Sequence, residues 1–160
     1  TNGPLRRTTR KDQMFGPKWD KRFLNLAQEV STFSRDPSTQ VGAVIVRPDK
    51  TIASIGYNGF ARGVLDNAGR YNDRDTKYEM IVHGEMNAIL AAREPLHGYT
   101  LYTYPFPPCS RCAAMIIQSG IANVVAPSPT EEQLQRWEKS FSLASLQFAE
   151  AGVNLELWQS

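Results

Sequence analysis

Long hydrophobic runs, cysteine and surplus charge are all scarce in this sequence. No apolar run approaches the roughly 20 residues that a membrane-spanning helix needs, so we expect no membrane partner. The formal net charge is only +2, which does not indicate a nucleic-acid partner. The chain has two cysteines, and the second pair that a four-cysteine structural zinc site requires is missing.

The composition that remains is typical of one globular domain. A chain of 160 residues can bury a sizeable core, and its 41% hydrophobic and 21% charged residues are ordinary values for a protein that folds in water. The positive excess is partly concentrated in residues 6–11, where apolar residues are few. We therefore predict a basic flexible tail over residues 1–18 and a single folded domain over residues 19–160. We expect the cytoplasm, where cysteines stay reduced.

The first half of the domain is predicted to hold one helix and one hairpin. Apolar residues spaced alternately by four and three predict an amphipathic helix over residues 19–34. Two short runs rich in valine and isoleucine, residues 41–47 and 51–57, predict a β-hairpin. The polar stretch 60–78 lacks clear periodicity and predicts a long loop, of the kind that often serves as a lid or a binding loop.

The second half alternates helices and strands. The predicted elements are a helix over 83–93, a strand over 100–104, a helix from the cysteines to about Gly120, a strand over 122–126, a helix capped within 128–131 and ending near Gly152, and a strand over 153–158. A helix between two strands returns the chain in the same direction, so the last strands should be parallel. The predicted fold class is α/β, with three α-β-α layers and a mixed five-stranded sheet.

Two short motifs supply metal-binding and acid–base groups. Cys109 and Cys112 are three residues apart at a predicted helix start, so both sulfurs project from one face, and the free amides and helix dipole favour thiolate. Together with His83 they give three ligands, the number typical of a catalytic zinc that keeps its fourth position for water or substrate. Glu85 can act as base and then as acid. We therefore assign His83, Cys109 and Cys112 to one Zn²⁺ and Glu85 to catalysis.

Each of these residues alone has an ordinary structural explanation. A single Cys-x-x-Cys is often a redox pair or half of a structural zinc site. An isolated histidine is more often a core or helix-end residue, and a glutamate at a helix start is usually solvated. Their joint occurrence, H-x-E followed by P-C-x-x-C, is the signature of the zinc deaminases, which replace the amine of a nucleobase with oxygen. This combination favours the functional interpretation.

The sequence resembles the cytidine deaminase superfamily, and within it the deoxycytidylate (dCMP) deaminase family, over residues 19–153. Four stretches carry the resemblance: SRDPSTQVGA at 34–43, GYNG at 56–59, DTKYEMIVHGEMNAI at 75–89 and PCSRCAAMIIQSGI at 108–121. The resemblance implies a cytidine deaminase-like fold and a zinc-dependent deaminase domain. It also implies hydrolysis of dCMP to deoxyuridylate (dUMP) and ammonia, with Glu85 transferring protons.

The resemblance further implies nucleotide contacts and regulation. Asn58 is expected to hydrogen-bond the sugar, and Arg35 and Ser38 lie in the part of the family near the phosphate. A solvated helix-end role for Arg35 and a local turn role for Ser38 are the alternatives. Family members are commonly homo-oligomers, and many are regulated allosterically by dCTP and dTTP with Mg²⁺, so we expect a homo-oligomer and these effectors.

Three departures from the family pattern bear on the substrate. Gly84 stands where the family usually has alanine, Ala61 stands where proline is common, and the approach to the cysteines, residues 104–108, is one residue longer. We interpret the missing methyl and the longer loop as room for a 5-substituted cytosine. The alternatives to dCMP are thus 5-substituted dCMP, cytidine or deoxycytidine, dCTP, guanine and transfer RNA adenosine. A zinc-binding regulatory module without turnover is the alternative outside enzymes.

Overall fold

The computed structural model describes residues 14–159. Its helices and strands follow in the order α1 (Pro17–Ser31), β1 (Gly42–Val46), β2 (Ile52–Tyr57), β3 (Gly59–Phe60), α2 (Ala68–Asn72), α3 (Arg74–Met80), β4 (Ile81–Val82), α4 (Gly84–Ala91), β5 (Thr100–Tyr104), α5 (Ser110–Gln118), β6 (Asn123–Pro127), α6 (Glu131–Ala151) and β7 (Asn154–Trp158).

The main sheet has five strands in the order β2-β1-β5-β6-β7. Strand β1 runs antiparallel to both β2 and β5, whereas β5, β6 and β7 are parallel to one another. The parallel pairs follow from the connections, since α5 and α6 each carry the chain back before the next strand begins. The predicted mixed sheet with parallel last strands is confirmed.

Helices cover both faces of this sheet. On one face α1 packs Phe23 and Val30 against Val44, Tyr102 and neighbouring strand residues. On the other face α4, α5 and α6 enclose a second cluster whose members are fully or nearly fully buried, among them Ala43, Ala88, Leu101, Ile116, Val124 and Phe148. Two apolar clusters on opposite sides of one sheet give the predicted three-layer α-β-α architecture.

The folded part begins before the predicted boundary at residue 19. Helix α1 starts at Pro17, whose fixed φ and missing N–H suit the first helical position. Met14 and Phe15 pack against the α1 side of the core, and the Phe15 and Phe23 ring centroids are 6.3 Å apart. Residues 14–18 are therefore part of the domain. The predicted flexible tail otherwise falls on residues 1–13, outside the described residues.

The stretch between residues 60 and 78 is more ordered than the sequence predicts. It holds α2 and α3, and β3 pairs with β4 in a small second sheet. Asn67 and Asp73 cap the two helices by accepting hydrogen bonds from the amides of Arg70 and Thr76. Helices of five and seven residues are too short to show a 3.6-residue period, so the only sequence signal was the pair of capping residues.

Two glycines let helices lie directly on the β1–β2 hairpin. A Cβ atom on Gly42 would come within 2.2 Å of the Ala27 carbonyl oxygen of α1. A Cβ on Gly56 would come within 2.3 Å of the Ala88 amide nitrogen of α4. The close packing of α4 on the sheet thus requires glycine at position 56, because a side chain there would clash with the α4 backbone.

Within residues 14–159, no helix combines the length and the apolar character needed to cross a bilayer.

Candidate metal and active site

Helix α4 begins at the first motif. His83 is its N-cap residue, with extended backbone at φ −70° and ψ 153°, and the helical hydrogen bonding starts with the Asn87 amide donating to the His83 carbonyl. Glu85 lies in the first turn. The predicted helix over 83–93 is thus confirmed with slightly shorter bounds, and it places the imidazole and the carboxyl at the same helix end.

Helix α5 begins at the second motif in the same way. Cys109 is its N-cap, and the Cys109 sulfur accepts a hydrogen bond of 3.5 Å from the Cys112 amide. Cys109 is half-buried and Cys112 is buried. A side chain that accepts from the third amide of a helix is the geometry of an N-cap, and here a sulfur takes the place of the usual oxygen.

The two helix starts bring three donor atoms together. The Nδ1 atom of His83 is 3.2 Å from Cys112 Sγ and 3.5 Å from Cys109 Sγ. All three donor atoms lie within 4.8 Å of one another. One imidazole nitrogen and two thiolates are a donor set that suits zinc, and three protein ligands are the number found at catalytic zinc sites. The residues present therefore fit the predicted Zn²⁺, and Nδ1 is the ring nitrogen of His83 that faces the two sulfurs.

The close approach of these groups shifts their proton affinities. The Cys112 thiol donates a hydrogen bond to Cys109, which lowers the pKa of Cys109 and raises that of Cys112. The hydrogen bond with Cys109 raises the pKa of His83, against the opposing effect of burial. Cys112 thus holds its proton more tightly than Cys109 does. Binding of a metal by both sulfurs requires release of the remaining proton.

Glu85 lies beside this cluster and is outside it. It is 3% exposed, and burial raises the pKa of its carboxyl to about 6, while the charge of His83 opposes that rise. The charges of His83 and Cys109 act on this pKa in opposite directions, His83 lowering it and Cys109 raising it. A buried acid with a raised pKa beside a set of possible metal ligands is a candidate for proton transfer.

Asn58, the predicted sugar contact, is 5% exposed and already has protein partners. Its amide nitrogen donates to Asp36 Oδ2 at 3.2 Å and to the Thr39 carbonyl at 2.9 Å. Its amide oxygen accepts from the Val41 amide at 2.8 Å. Both donors are used, and one acceptor position on the oxygen remains.

Asp36 is the centre of the predicted phosphate region, and sequence reasoning did not single it out. Its buried carboxylate accepts hydrogen bonds from the amides of Ser38 and Thr39 and from the Ser38 hydroxyl, and it forms an ion pair of 2.6 Å with Lys77. Burial alone would raise the pKa of Asp36, but these hydrogen bonds outweigh it and the pKa is lowered. The available signal was the Asp-Pro-Ser turn, in which aspartate commonly accepts from the following amides.

The two predicted phosphate contacts differ in their surroundings. The Ser38 hydroxyl donates to Asp36 and accepts a 3.0 Å hydrogen bond from Lys77 Nζ, so its own donor is occupied. The Arg35 side chain is 76% exposed and lies 4.0 Å from Asp66. Lys77 is a cation beside Ser38 that the sequence analysis missed, because nothing in its local pattern distinguished it from a solvated lysine.

Gly84 does not open the pocket as expected. A Cβ atom at this position would lie 3.2 Å from Val41 Cγ1 and 3.4 Å from the Tyr57 Cα atom. The missing methyl therefore faces the β1–β2 hairpin, and glycine here permits close packing of α4. The interpretation of Gly84 as room for a 5-substituent is wrong for this reason.

A cavity of about 390 Å³ lies between the loop after α1 and the start of α6. It is lined by Ser38, Thr39, Gln40, Pro105, Phe106, Thr130, Glu132, Gln133, Arg136 and Trp137. Its size is within the usual range for small-molecule sites. Because Phe106 stands three residues before Cys109, the cavity adjoins the segment that leads to the metal ligands.

The protein family that the sequence matches agrees with the chemistry that the site geometry indicates. Residues 17–128 match the family model described as the cytidine and deoxycytidylate deaminase zinc-binding region. The chain belongs to this family. The family match and the His83, Cys109 and Cys112 cluster confirm the predictions of a zinc deaminase domain and of a zinc cofactor.

Curated members of the cytidine and deoxycytidylate deaminase family include close relatives of this chain. An uncharacterized deaminase in the luxG 3′ region of Aliivibrio fischeri is 44% identical over 138 residues, covering 86% of this chain and 92% of the relative. The probable deoxycytidylate deaminase of Caenorhabditis elegans is 47% identical over 111 residues. That match covers 67% of this chain and 56% of the nematode protein, so the chain spans little more than half of that relative.

A solved structure shares the fold. The dCMP deaminase of cyanophage S-TIM5, in complex with dCMP and dUMP, aligns with a TM-score of 0.74 and 22% sequence identity. The alignment covers 91% of this chain and all of the phage protein. This likeness confirms the predicted cytidine deaminase-like fold.

Proposed function

We propose that this protein hydrolyses dCMP to dUMP and ammonia. The observation that carries the proposal is the meeting of His83 Nδ1 and the Cys109 and Cys112 sulfurs at two helix starts, with the buried Glu85 carboxyl beside them. The relatives named deoxycytidylate deaminase and the phage enzyme that binds dCMP and dUMP support the choice of substrate.

His83, Cys109 and Cys112 would hold Zn²⁺, which when bound supplies a water of lowered pKa at neutral pH. Glu85 would carry the protons of the reaction. Its carboxylate accepts a proton from the attacking water and passes it to the ring nitrogen next to the reacting carbon. It then takes the second proton of that water to the departing amine, which leaves as ammonia. The burial of Glu85 keeps bulk water from competing for these protons.

The remaining polar groups suit the sugar and the phosphate. Asn58 keeps one acceptor position, which can receive a hydrogen bond from a sugar hydroxyl. The phosphate would lie near Arg35 and Ser38, where Lys77 adds a cation. The Lys77 ammonium has three N–H donors and uses two of them on Asp36 and Ser38, so one remains for a phosphate oxygen.

We further propose that the protein acts as a homo-oligomer in the cytoplasm and responds to dCTP and dTTP with Mg²⁺. Support comes from the resemblance of residues 34–43 and 56–59 to the dCMP deaminases, and from a thiolate-based site that needs reduced cysteines.

Ammonia release from the zinc-loaded protein tests the substrate. The panel contains dCMP, deoxycytidine, cytidine, dCTP, 5-methyl-dCMP, guanine and transfer RNA, with and without dCTP and Mg²⁺. We expect the highest kcat/KM for dCMP, with the nucleoside lowered because it lacks the phosphate. Turnover of another base with dCMP inert would overturn the substrate and leave the deaminase chemistry intact. No turnover of any base would favour a regulatory module.

A further inference from the structure

Helix α6 packs along the helix that carries the cysteines, although it supplies no member of the metal cluster. It spans Glu131–Ala151 and lies beyond residues 17–128, the part that matches the family model. The residues on its inward face are spaced at helical intervals. They are Trp137, Ser140, Phe141, Ala144, Gln147 and Phe148. Two of these six positions are polar, and both reach the same residue of α5.

That residue is Ser110, which directly follows the Cys109 ligand. The Ser110 amide donates to Ser140 Oγ at 3.0 Å, and the two hydroxyls are 3.4 Å apart. The Ser110 carbonyl accepts from Gln147 Nε2 at 3.0 Å. All three residues are half-buried, so these hydrogen bonds are shielded from part of the competing water.

These contacts fix the two peptide planes on either side of Ser110. The Ser110 amide is one of the helix-start donors that have no partner within the helix, and Ser140 satisfies it from another element. The amide belongs to the peptide that joins Cys109 to Ser110, so holding it restricts rotation at Cys109, whose ψ is 170°. Gln147 restrains the next peptide. The direction of the Cys109 side chain relative to Cys112 is thereby set by α6.

The other side of the cysteine segment also rests on α6. Phe106 packs against Trp137 at 5.3 Å and against Phe141 at 6.0 Å between ring centroids. Trp137 interrupts the helix with φ −131° and ψ 20°. Aromatic contacts thus hold the approach to the cysteines, and the hydrogen bonds of Ser110 with Ser140 and Gln147 hold the turn that carries Cys109.

We propose that Ser140 and Gln147 are positioning residues for the cysteine ligands, so that α6 sets the affinity for zinc. Ligand positioning by outer hydrogen bonds commonly changes metal affinity about 10- to 100-fold. The proposal rests on the zinc-binding part of the proposed function and is independent of which base is deaminated.

Competition for zinc between the holoprotein and a chromogenic chelator tests this proposal. We expect Ser140→Ala and Gln147→Ala each to lower zinc affinity by about tenfold or more, and Ser140→Thr, which keeps a hydroxyl, to restore most of it. Ser142→Ala and Gln135→Ala are matched controls, since both residues are exposed on α6. The Co²⁺-substituted variants should also show shifted thiolate-to-cobalt absorption.

A role confined to packing predicts a different pattern. Ser140→Ala and Gln147→Ala would then lower the unfolding midpoint while zinc affinity and the cobalt spectrum stayed within about twofold of those of the controls, which would overturn the proposal. If Ser140→Ala does not fold, Gln147→Ala decides by the same criterion. Because no nucleotide is present, the outcome is separate from the test of substrate.

Discussion

Glu85 is a buried carboxyl beside a cluster that already offers three metal ligands. Replacing it with glutamine keeps its size and hydrogen-bonding capacity and removes its ability to carry protons. We expect Glu85→Gln to lower kcat by about 10²- to 10⁴-fold or more, the range typical of general acid–base groups. Ammonia release measures the rate, and the zinc-to-protein ratio should stay unchanged.

The matched control for this substitution is Glu79→Gln on α3, where the glutamate is exposed and has no assigned role. Glu79→Gln should leave the rate of ammonia release and the zinc-to-protein ratio unchanged. Loss of zinc from Glu85→Gln together with loss of activity would indicate a structural role for the carboxyl, and full activity would remove it from the mechanism.

Asp20 is a second buried carboxyl, on the opposite face of the sheet. It accepts a hydrogen bond of 2.5 Å from Tyr102, and Glu156 of β7 is close enough to repel its charge. Burial, with a smaller contribution from Glu156, raises the pKa of Asp20 from 3.8 to about 6. The folded state therefore binds the proton more tightly than the unfolded state. This group's contribution to stability falls as pH rises between those values.

Asp20→Asn should remove this penalty, because asparagine is neutral and can still accept from Tyr102. We expect the variant to match the original protein near pH 4 and to be more stable at pH 7, by roughly 1–3 kcal/mol. Urea unfolding at both pH values gives the difference. A stability difference that is the same at pH 4 and pH 7 would contradict the raised pKa.

At the scale of elements, one ion pair ties α3 to the loop after α1. Lys77 is 20% exposed and its partner Asp36 is 1% exposed, so removing the lysine leaves an almost fully buried carboxylate without its cation. We expect Lys77→Met to lower the free energy of unfolding by roughly 2–4 kcal/mol. Lys21→Met is the control, since Lys21 is exposed on α1. Equal effects of the two substitutions in a denaturant titration would show that the pair contributes little.

Periodic elements could be predicted from the sequence, and short ones could not. The spacing that predicted α1 and the valine- and isoleucine-rich runs that predicted β1 and β2 reflect burial of one face or of a whole strand. Helices α2 and α3 complete at most two turns, so their residues carry no period. The break of α6 at Trp137 was equally hidden, because no proline or glycine within the helix marks it.

Some features of the candidate site could likewise be predicted from the sequence, and others could not. Ligand types, their order and their helix starts follow from the two motifs. The motifs do not show that His83 turns Nδ1 toward the sulfurs, that Asn58 has both donors occupied, or that Lys77 stands beside Ser38. These features depend on contacts between distant segments, and so does the error at Gly84, whose missing methyl faces Val41.

At the scale of the whole molecule, the cluster joins two helices that pack on the same face of the sheet. A cation held by His83 at the start of α4 and by the cysteines of α5 would bind the folded state more tightly than the unfolded chain, and would stabilise it by up to roughly 4 kcal/mol at a thousandfold excess over Kd. Chelation of zinc should therefore lower Tm, by roughly 10 °C for a domain of this size.

Differential scanning fluorimetry before and after dialysis against a chelator measures this shift. Zinc should restore the original Tm and Mg²⁺ should not, because Mg²⁺ prefers oxygen ligands. An unchanged Tm after complete loss of zinc would mean that the cluster is fully formed and equally stable without the metal.

At Gly42 and Gly56 the β1–β2 hairpin is packed closely between two helices. Backbone of α1 rests on one side of it and backbone of α4 on the other, with no side chain between helix and strand at either point. Because no side chains lie at these two contacts, none can change rotamer to accommodate a displacement of α1. We expect such a displacement to move α4 as well. A partner that binds to the outer surface of α1 and shifts this helix would therefore also shift the end of α4 that carries Glu85.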